Sequence, residues 1–276
     1  MEDMSEPVAP ETTGTDVWSG DWQPRLVAFD LDDTLAPSKS PVDPRMLSLL
    51  VDLLDVAEVC VISGGQIAQF RSQLVDRLDA VESLDPAKLT RLHLMPTCGT
   101  QYWRNEGGDW VEVYAENLSP EQIQEAFDSL ETRAKELGLW ESETWGPILE
   151  DRGSQVTFSA LGQAAPVDAK RAWDSSGERK NALRAAVAAD LPDLEVRSGG
   201  STSVDITRRG IDKAYGMRKL VEIVGIPIEE MLFVGDRLDP DGNDYPVKAT
   251  GVRAHAVEGW EDTASLIERV IASAHH

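Results

Sequence analysis

The sequence predicts an α/β protein: a parallel-sheet core interrupted by an inserted α+β cap. Three observations point there. Short apolar runs alternate with helix-periodic segments over residues 26–95. From about Gln101 the texture changes to a hairpin, helices and further short strand candidates. After about residue 198 the first pattern returns.

The elements follow in order. Residues 1–23 mix Glu, Asp, Pro, Thr and Gly, with no basic residue before Arg25, so a disordered acidic tail is expected there rather than a secretory leader. LVAF (26–29) is a short buried strand ending at Asp30. MLSLLVDLLD, from Met46, spaces its apolar residues as a helix does. VCVI (59–62) is a second strand, closed by Ser63-Gly64-Gly65, and the helical stretch IAQFRSQLVDRL follows it. LHLM (92–95) is a third strand. Strands joined through helices form a parallel sheet with right-handed crossovers, and binding groups then gather at the carboxyl ends of the strands. QYWRNEGGDWVEVYAE reads as a hairpin turning at Gly107-Gly108. SPEQIQEAFDSLETRAKELG has Ser119 as N-cap, Pro120 in the first helical position and Gly138 as stop. Strands near 148–151 and 155–161 and the helix GERKNALRAAVAADL complete the block. SVDI (203–206), a helix over 213–224 and MLFVGD (231–236) restore the α/β pattern. The expected division is a tail over 1–23, a Rossmann-like core over 24–100 and 198–276, and a cap over 101–197.

The chain has 276 residues, is 41% hydrophobic and carries a net charge of −23. That surface repels nucleic acid and anionic membranes, so neither is an expected partner. An anionic substrate would need local basic residues or a cation. No apolar stretch reaches the length of a membrane-spanning helix. Two cysteines, Cys60 and Cys98, make no disulfide framework, and a reducing, cytoplasmic location is expected.

FDLDDT places Asp30 just past a strand and Asp32 two residues on. A carboxylate can attack phosphorus to form an aspartyl phosphate, and a second can protonate the leaving oxygen and later deprotonate water. A dianionic phosphate is repelled by such a pair, and Mg²⁺ on oxygen ligands is the remedy. The alternative is a plain acidic turn. Ser63 can hydrogen-bond a phosphoryl oxygen beside the amides of a helix start, although a glycine turn explains SGG equally well. Lys213 can set a compact positive charge on the phosphoryl group, although a lone lysine is usually solvated. Asp236 ends a strand, and its loop adds Asp239, Asp241, Asn243 and Asp244.

Together FDLDDT, VISGG, Lys213 and VGDRLDPDGND resemble the four motifs of the haloacid dehalogenase-like phosphotransferases, over nearly all of residues 26–262. The resemblance implies Asp30 as nucleophile and Asp32 as general acid/base with its backbone carbonyl on the metal. It implies Asp236 as a further Mg²⁺ ligand supported by Asn243 and Asp244, and Ser63 and Lys213 on the phosphoryl group. Asp33 stands where that family usually has Gly. GGSTSVDITRRGIDKAYGM and GDRLDPDGNDYP are similar to the eukaryotic-type phosphomannomutases, a large-cap subgroup, and the resemblance implies substrate contacts at Ser203 and Asp205 and dimerisation through the cap. That family holds a distal phosphate with three cap arginines. Here Arg152 matches the first, Gln163 stands at the second and Lys170 at the third. A weakened distal clamp favours a phosphatase acting on a phosphorylated sugar or similar small metabolite over a hexose phosphate mutase. A signalling phosphoacceptor also uses acids, a hydroxyl and a lysine at strand ends. The acidic pair on the first strand and the cap argue against it, and the full motif set argues against a silent binding protein.

Overall fold

The computed structural model describes residues 22–274 apart from 79, 83, 200 and 201. The expected acidic tail therefore lies outside the described residues, except at its end. Trp22 packs on the apolar core with the Arg253 guanidinium 4.3 Å from its ring centroid, so the last residues of the 1–23 segment belong to the folded body.

Two sheets organise the chain. The larger has seven strands in the order β11-β10-β1-β2-β3-β4-β5. They are β1 (Leu26–Phe29), β2 (Glu58–Ile62), β3 (Leu92–Met95), β4 (Gln101–Glu106), β5 (Asp109–Ala115), β10 (Met231–Gly235) and β11 (Arg253–Ala256). β11, β10, β1, β2 and β3 pair in parallel, whereas β4 and β5 extend the sheet antiparallel. The smaller sheet has four antiparallel strands in the order β6-β7-β9-β8: β6 (Leu149–Asp151), β7 (Gln155–Ser159), β8 (Leu194–Ser198) and β9 (Ser203–Arg208). The helices in chain order are α1 (Pro44–Val56), α2 (Ile67–Phe70), α3 (Asp76–Leu78), α4 (Pro120–Glu136), α5 (Val167–Trp173), α6 (Glu178–Asp190), α7 (Lys213–Val224) and α8 (Trp260–Ala274).

Strand residues explain the layering. In β1, Val27 and Phe29 face one apolar cluster with α1 and α8, while Leu26 and Ala28 face another with α7. β2 and β10 alternate the same way, so both faces of the central strands are covered and their sequences read as continuous apolar runs. Each large apolar side chain fully buried here contributes about 1.5–3 kcal/mol. A third cluster, under α4 and α6, belongs to the small sheet alone.

Two boundaries differ from expectation. The hairpin over 101–115 is part of the large sheet because His93 and Leu94 of β3 pair with Arg104 and Trp103 of β4. SVDI belongs to the small sheet, where β9 lies between β7 and β8. Hairpin chemistry and strand alternation are local signals, whereas sheet membership depends on partners distant in sequence. The chain therefore leaves the large sheet after β5 and returns between β9 and α7. At that crossing Glu116 accepts a hydrogen bond from the Tyr215 hydroxyl at 2.6 Å and pairs with Lys219 at 3.0 Å. Among the described residues no helix is long and apolar enough to cross a membrane.

Candidate active site

Four carboxyl ends of parallel strands converge on one cleft of about 1000 Å³, whose opposite wall comes from the small sheet and its helices. Asp30, 3% exposed, follows β1 directly. Lys213, 1% exposed, reaches it across the cleft floor, with Nζ 2.5 Å from Asp30 Oδ1, and donates equally to Asp244 Oδ1. Two local features put the lysine there. Asp212 caps α7 by accepting from the Tyr215 amide, which sets Lys213 at the first helical position. Gly216 lets α7 touch the 97–99 turn, where an added Cβ would lie 2.2 Å from Ile62 Cδ1 and 2.7 Å from the Cys98 carbonyl oxygen.

Asp30, Asp236 and Asp244 each offer an oxygen within 4.8 Å of the others. Asp244 is fully buried behind the cleft wall. Gly235 makes that possible, since a Cβ there would meet the Asp244 carboxylate at 2.4 Å. The Arg237 amide donates to Asp244 Oδ2 at 3.0 Å, and the Thr34 hydroxyl accepts from the Asp236 amide at 3.1 Å. The sequence reading gave the metal Asp30, Asp236 and the backbone carbonyl of Asp32, with Asp244 in support. In the structure the Asp244 carboxylate stands with Asp30 and Asp236, and the Asp32 carboxylate turns toward the start of the next helix. There its carboxylate accepts from the Lys39 amide at 2.8 Å, Gln69 Nε2 at 2.8 Å and Gln73 Nε2 at 3.2 Å.

The electrostatics of the cluster are unbalanced. Burial raises the Asp30 carboxyl to about 7, with Lys213 opposing and Asp244 reinforcing the rise. Burial likewise raises Asp236, again with Asp244 adding to it. Burial alone would lower the Lys213 ammonium, but Asp30 and Asp244 together hold it above its ordinary value. Three carboxylates against one ammonium leave a hard-oxygen donor set that suits a divalent cation such as Mg²⁺. Asp33 sits at φ 60 and accepts from the Ser38 amide at 3.0 Å. Asp is among the few residues with a side chain that tolerate that left-handed backbone.

Ser63, 5% exposed, lies in the cleft at the end of β2, its hydroxyl accepting from the Gly65 amide at 3.3 Å. Cys98 stands beside it at φ 56, and burial pushes its thiol up to about 12, which disfavours the thiolate. The other expected substrate contacts, Arg152, Lys170, Ser203 and Asp205, line the same cleft, as does Asn243, expected in support of the metal. Asp205 accepts from the Thr157 hydroxyl at 2.8 Å, and burial raises its carboxyl against the pull of Arg152. Arg152 pairs with Glu150 at 2.9 Å, and its buried Nε has no hydrogen-bond partner among the described residues. Gln163 spends its amide on the Ser159 hydroxyl at 2.5 Å, and Lys170 donates to the Gln163 carbonyl oxygen at 2.8 Å. Burial and neighbouring Lys39 lower the Lys170 ammonium. The sequence reading missed Lys39, Gln69 and Gln73 around Asp32, and Lys180 and Arg197 on the cap wall. Each lies outside the acidic and lysine motifs, and Arg197 belongs to a strand that was not anticipated.

A family model described as eukaryotic phosphomannomutase matches residues 142–273. A probable phosphomannomutase of Caenorhabditis elegans is 23% identical over 254 residues, covering 89% of this chain and 95% of its own length. A haloacid dehalogenase-like hydrolase from Bacteroides thetaiotaomicron superposes with a TM-score of 0.57 at 17% identity, over 91% of this chain and 100% of that one. This chain resembles the phosphomannomutases in sequence and shares the fold of a haloacid dehalogenase-like hydrolase. An IMP-bound mutant of Plasmodium falciparum IMP-nucleotidase shares the fold at a TM-score of 0.69 and 13% identity, over 93% of this chain and 69% of its own. The relatives are mutases by name and the structural neighbours include a nucleotidase and a hydrolase, so the fold is shared and the outcome of the reaction is not. The mutase names come from the sequence relatives, and they favour isomerisation over the hydrolysis expected from the sequence.

Proposed function

We propose that this protein transfers the phosphoryl group of a phosphorylated sugar through an aspartyl phosphate on Asp30, with water as the preferred acceptor. The observation that carries the reading is the buried Asp30–Lys213–Asp244 chain, with Asp236 beside it, at the floor of a cleft that brings Lys39, Arg152, Lys170 and Arg197 together in a strongly acidic protein. Asp30 attacks phosphorus as the ester P–O bond breaks, and Asp32 gives its proton to the leaving oxygen. Asp32 then takes a proton from water, whose oxygen attacks phosphorus and releases phosphate from Asp30. Ser63 and Lys213 bind the phosphoryl oxygens during both steps. Asp30, Asp236, Asp244 and the Asp32 carbonyl would hold Mg²⁺, which when bound neutralises charge between carboxylates and phosphate.

Protons and metal compete for these carboxylates. Because Asp30 is raised to about 7 and Asp236 is raised with it, the Mg²⁺ concentration giving half-maximal activity should increase as pH falls from 8 to 6. A Mg²⁺ requirement constant across that range in titrations at each pH would remove these carboxylates from the metal site.

Isomerisation is the second reading, and the names of the relatives favour it. A mutase must grip the phosphate that is not reacting. Here the grip rests on Arg152 and Lys170, while the Gln163 amide is engaged by Ser159. A charge-assisted hydrogen bond contributes roughly 1.5–3 kcal/mol against about 1 for a neutral one, so replacing one arginine weakens bisphosphate retention by roughly tenfold. Inorganic phosphate should therefore exceed isomerised sugar when hexose 1- and 6-phosphates are assayed with and without a bisphosphate activator. Gln163→Arg should shift that ratio toward isomerisation. Wild-type isomerisation faster than hydrolysis would establish the mutase reading, and a single stoichiometric labelling without turnover would establish a phosphoacceptor.

A further inference from the structure

The proposed acid/base role of Asp32 leaves unexplained how its carboxylate stays available beside a cation. Lys39 belongs to the same turn, and its backbone amide already donates to Asp32 Oδ1 at 2.8 Å. Its ammonium nevertheless lies 3.8 Å from Asp32 Oδ2. Gln69 separates the two. Its Oε1 accepts from Lys39 Nζ at 2.7 Å, and its Nε2 donates to Asp32 Oδ2 at 2.8 Å. With its oxygen held by the ammonium, the amide has one orientation, NH₂ toward the carboxylate.

The surroundings are built to admit this side chain. Gly65 lacks the Cβ that would lie 2.3 Å from Gln69 Oε1. Gln73, 2% exposed, closes the other side, donating to Asp32 Oδ1 at 3.2 Å and to the Ser40 carbonyl oxygen at 2.7 Å. Gln73 lies in a π-helical stretch, Arg71–Val75, between α2 and α3, and such irregularities are frequent at functional sites.

We propose that Gln69 is a positioning residue that keeps the Lys39 ammonium off the Asp32 carboxylate. A direct contact between them would be charge-assisted on both sides, hence stronger than either amide bond. It would occupy the oxygen that must give and take a proton, and would draw Lys39 away from the anion in the cleft. A neutral amide satisfies both groups and leaves each free for its own work. This inference rests on the phosphoryl-transfer reading for its kinetic consequence, not for its geometry.

The test uses Gln69→Met, similar in length but without the amide. A crystal structure of the variant should show Lys39 Nζ moved to within about 3.2 Å of an Asp32 oxygen. Turnover of a hexose phosphate should fall roughly tenfold in kcat, a fraction of what a general acid/base contributes. The double variant Gln69→Met with Lys39→Met should recover kcat relative to Gln69→Met alone, because the ammonium that captures the carboxylate is gone. A merely structural Gln69 gives the opposite sign, with the two losses multiplying. Gln69→Asn, too short to span both partners, should reproduce the loss in smaller measure and serves if the methionine variant does not fold. Lys39 staying at its wild-type distance, or a double variant slower than Gln69→Met, overturns the proposal. Absence of phosphoryl turnover in the wild type would instead defeat the phosphoryl-transfer reading, and the crystallographic distance would still decide the role of Gln69.

Discussion

Asp30→Asn should reduce turnover to background without lowering thermal stability. The amide matches the carboxylate in size at a site only 3% exposed, so packing is preserved. An amide oxygen is too weak a nucleophile to form the covalent intermediate, and no other carboxylate stands where Asp30 does. Stability should hold or rise, because burial already raises Asp30 to about 7 and so opposes its charged form at neutral pH. Asp32→Asn should behave differently. With a reactive leaving group that needs no proton, phosphoenzyme should still form, but its hydrolysis should slow by about 10²–10⁴-fold for want of a base. Rapid-quench labelling with an aryl phosphate separates the two: no label in Asp30→Asn, accumulated label in Asp32→Asn. Full activity in Asp30→Asn would remove it as the nucleophile.

Much of this site was legible because its chemistry stands at the ends of strands. Asp30, Ser63 and Asp236 each follow an apolar run, and an apolar run closing on a polar residue marks a carboxyl end in a parallel sheet. What escaped were partnerships. Nothing in GNDYP says that Asp244 folds back behind Gly235 to share the lysine with Asp30, and nothing in RGIDKAYGM says that Lys213 is buried. They depend on two close approaches, of Asp244 to Gly235 and of α7 at Gly216 to the 97–99 turn, which only the assembled fold brings about. Gln69 and Gln73 were invisible for another reason. They are uncharged residues on a helix of ordinary amphipathic pattern, and their value arises only from where the FDLDDT turn directs Asp32. The cap strand β8, LEVRS, was missed because it is short and charged, and with it went Arg197.

Lys213→Met should lose both activity and stability, and the two losses should respond differently to pH. The ammonium is 1% exposed and bonds two buried carboxylates, so the substitution strands Asp30 and Asp244 without their countercharge. Breaking a buried pair by removing one partner is destabilising by about 3–5 kcal/mol, which for a chain of this size corresponds to a fall in Tm on the order of 10 °C. Lys213 is the group that lowers the raised Asp30 carboxyl, so without it Asp30 must rise above about 7. A carboxyl whose folded value exceeds its ordinary 3.8 weakens the fold as pH climbs through that interval, because only the unfolded chain ionises freely. Below about pH 7 the carboxyl is protonated in both folded proteins and both lose stability alike, so the part of the deficit that comes from Asp30 should open only above pH 7, where the wild-type carboxyl ionises and the variant's does not. Mg²⁺ should restore part of the stability at pH 8 by supplying charge to the same carboxylates, but it should not restore kcat. The lysine also contacts the phosphoryl oxygens in the proposed mechanism, and removing such a donor costs about 10²–10³-fold in turnover. Thermal unfolding at pH 5 and 8, with and without Mg²⁺, measures the first effect, and initial rates at saturating Mg²⁺ measure the second. A Tm deficit that does not vary with pH would mean that the methionine disturbs packing around α7 rather than the charge balance at Asp30.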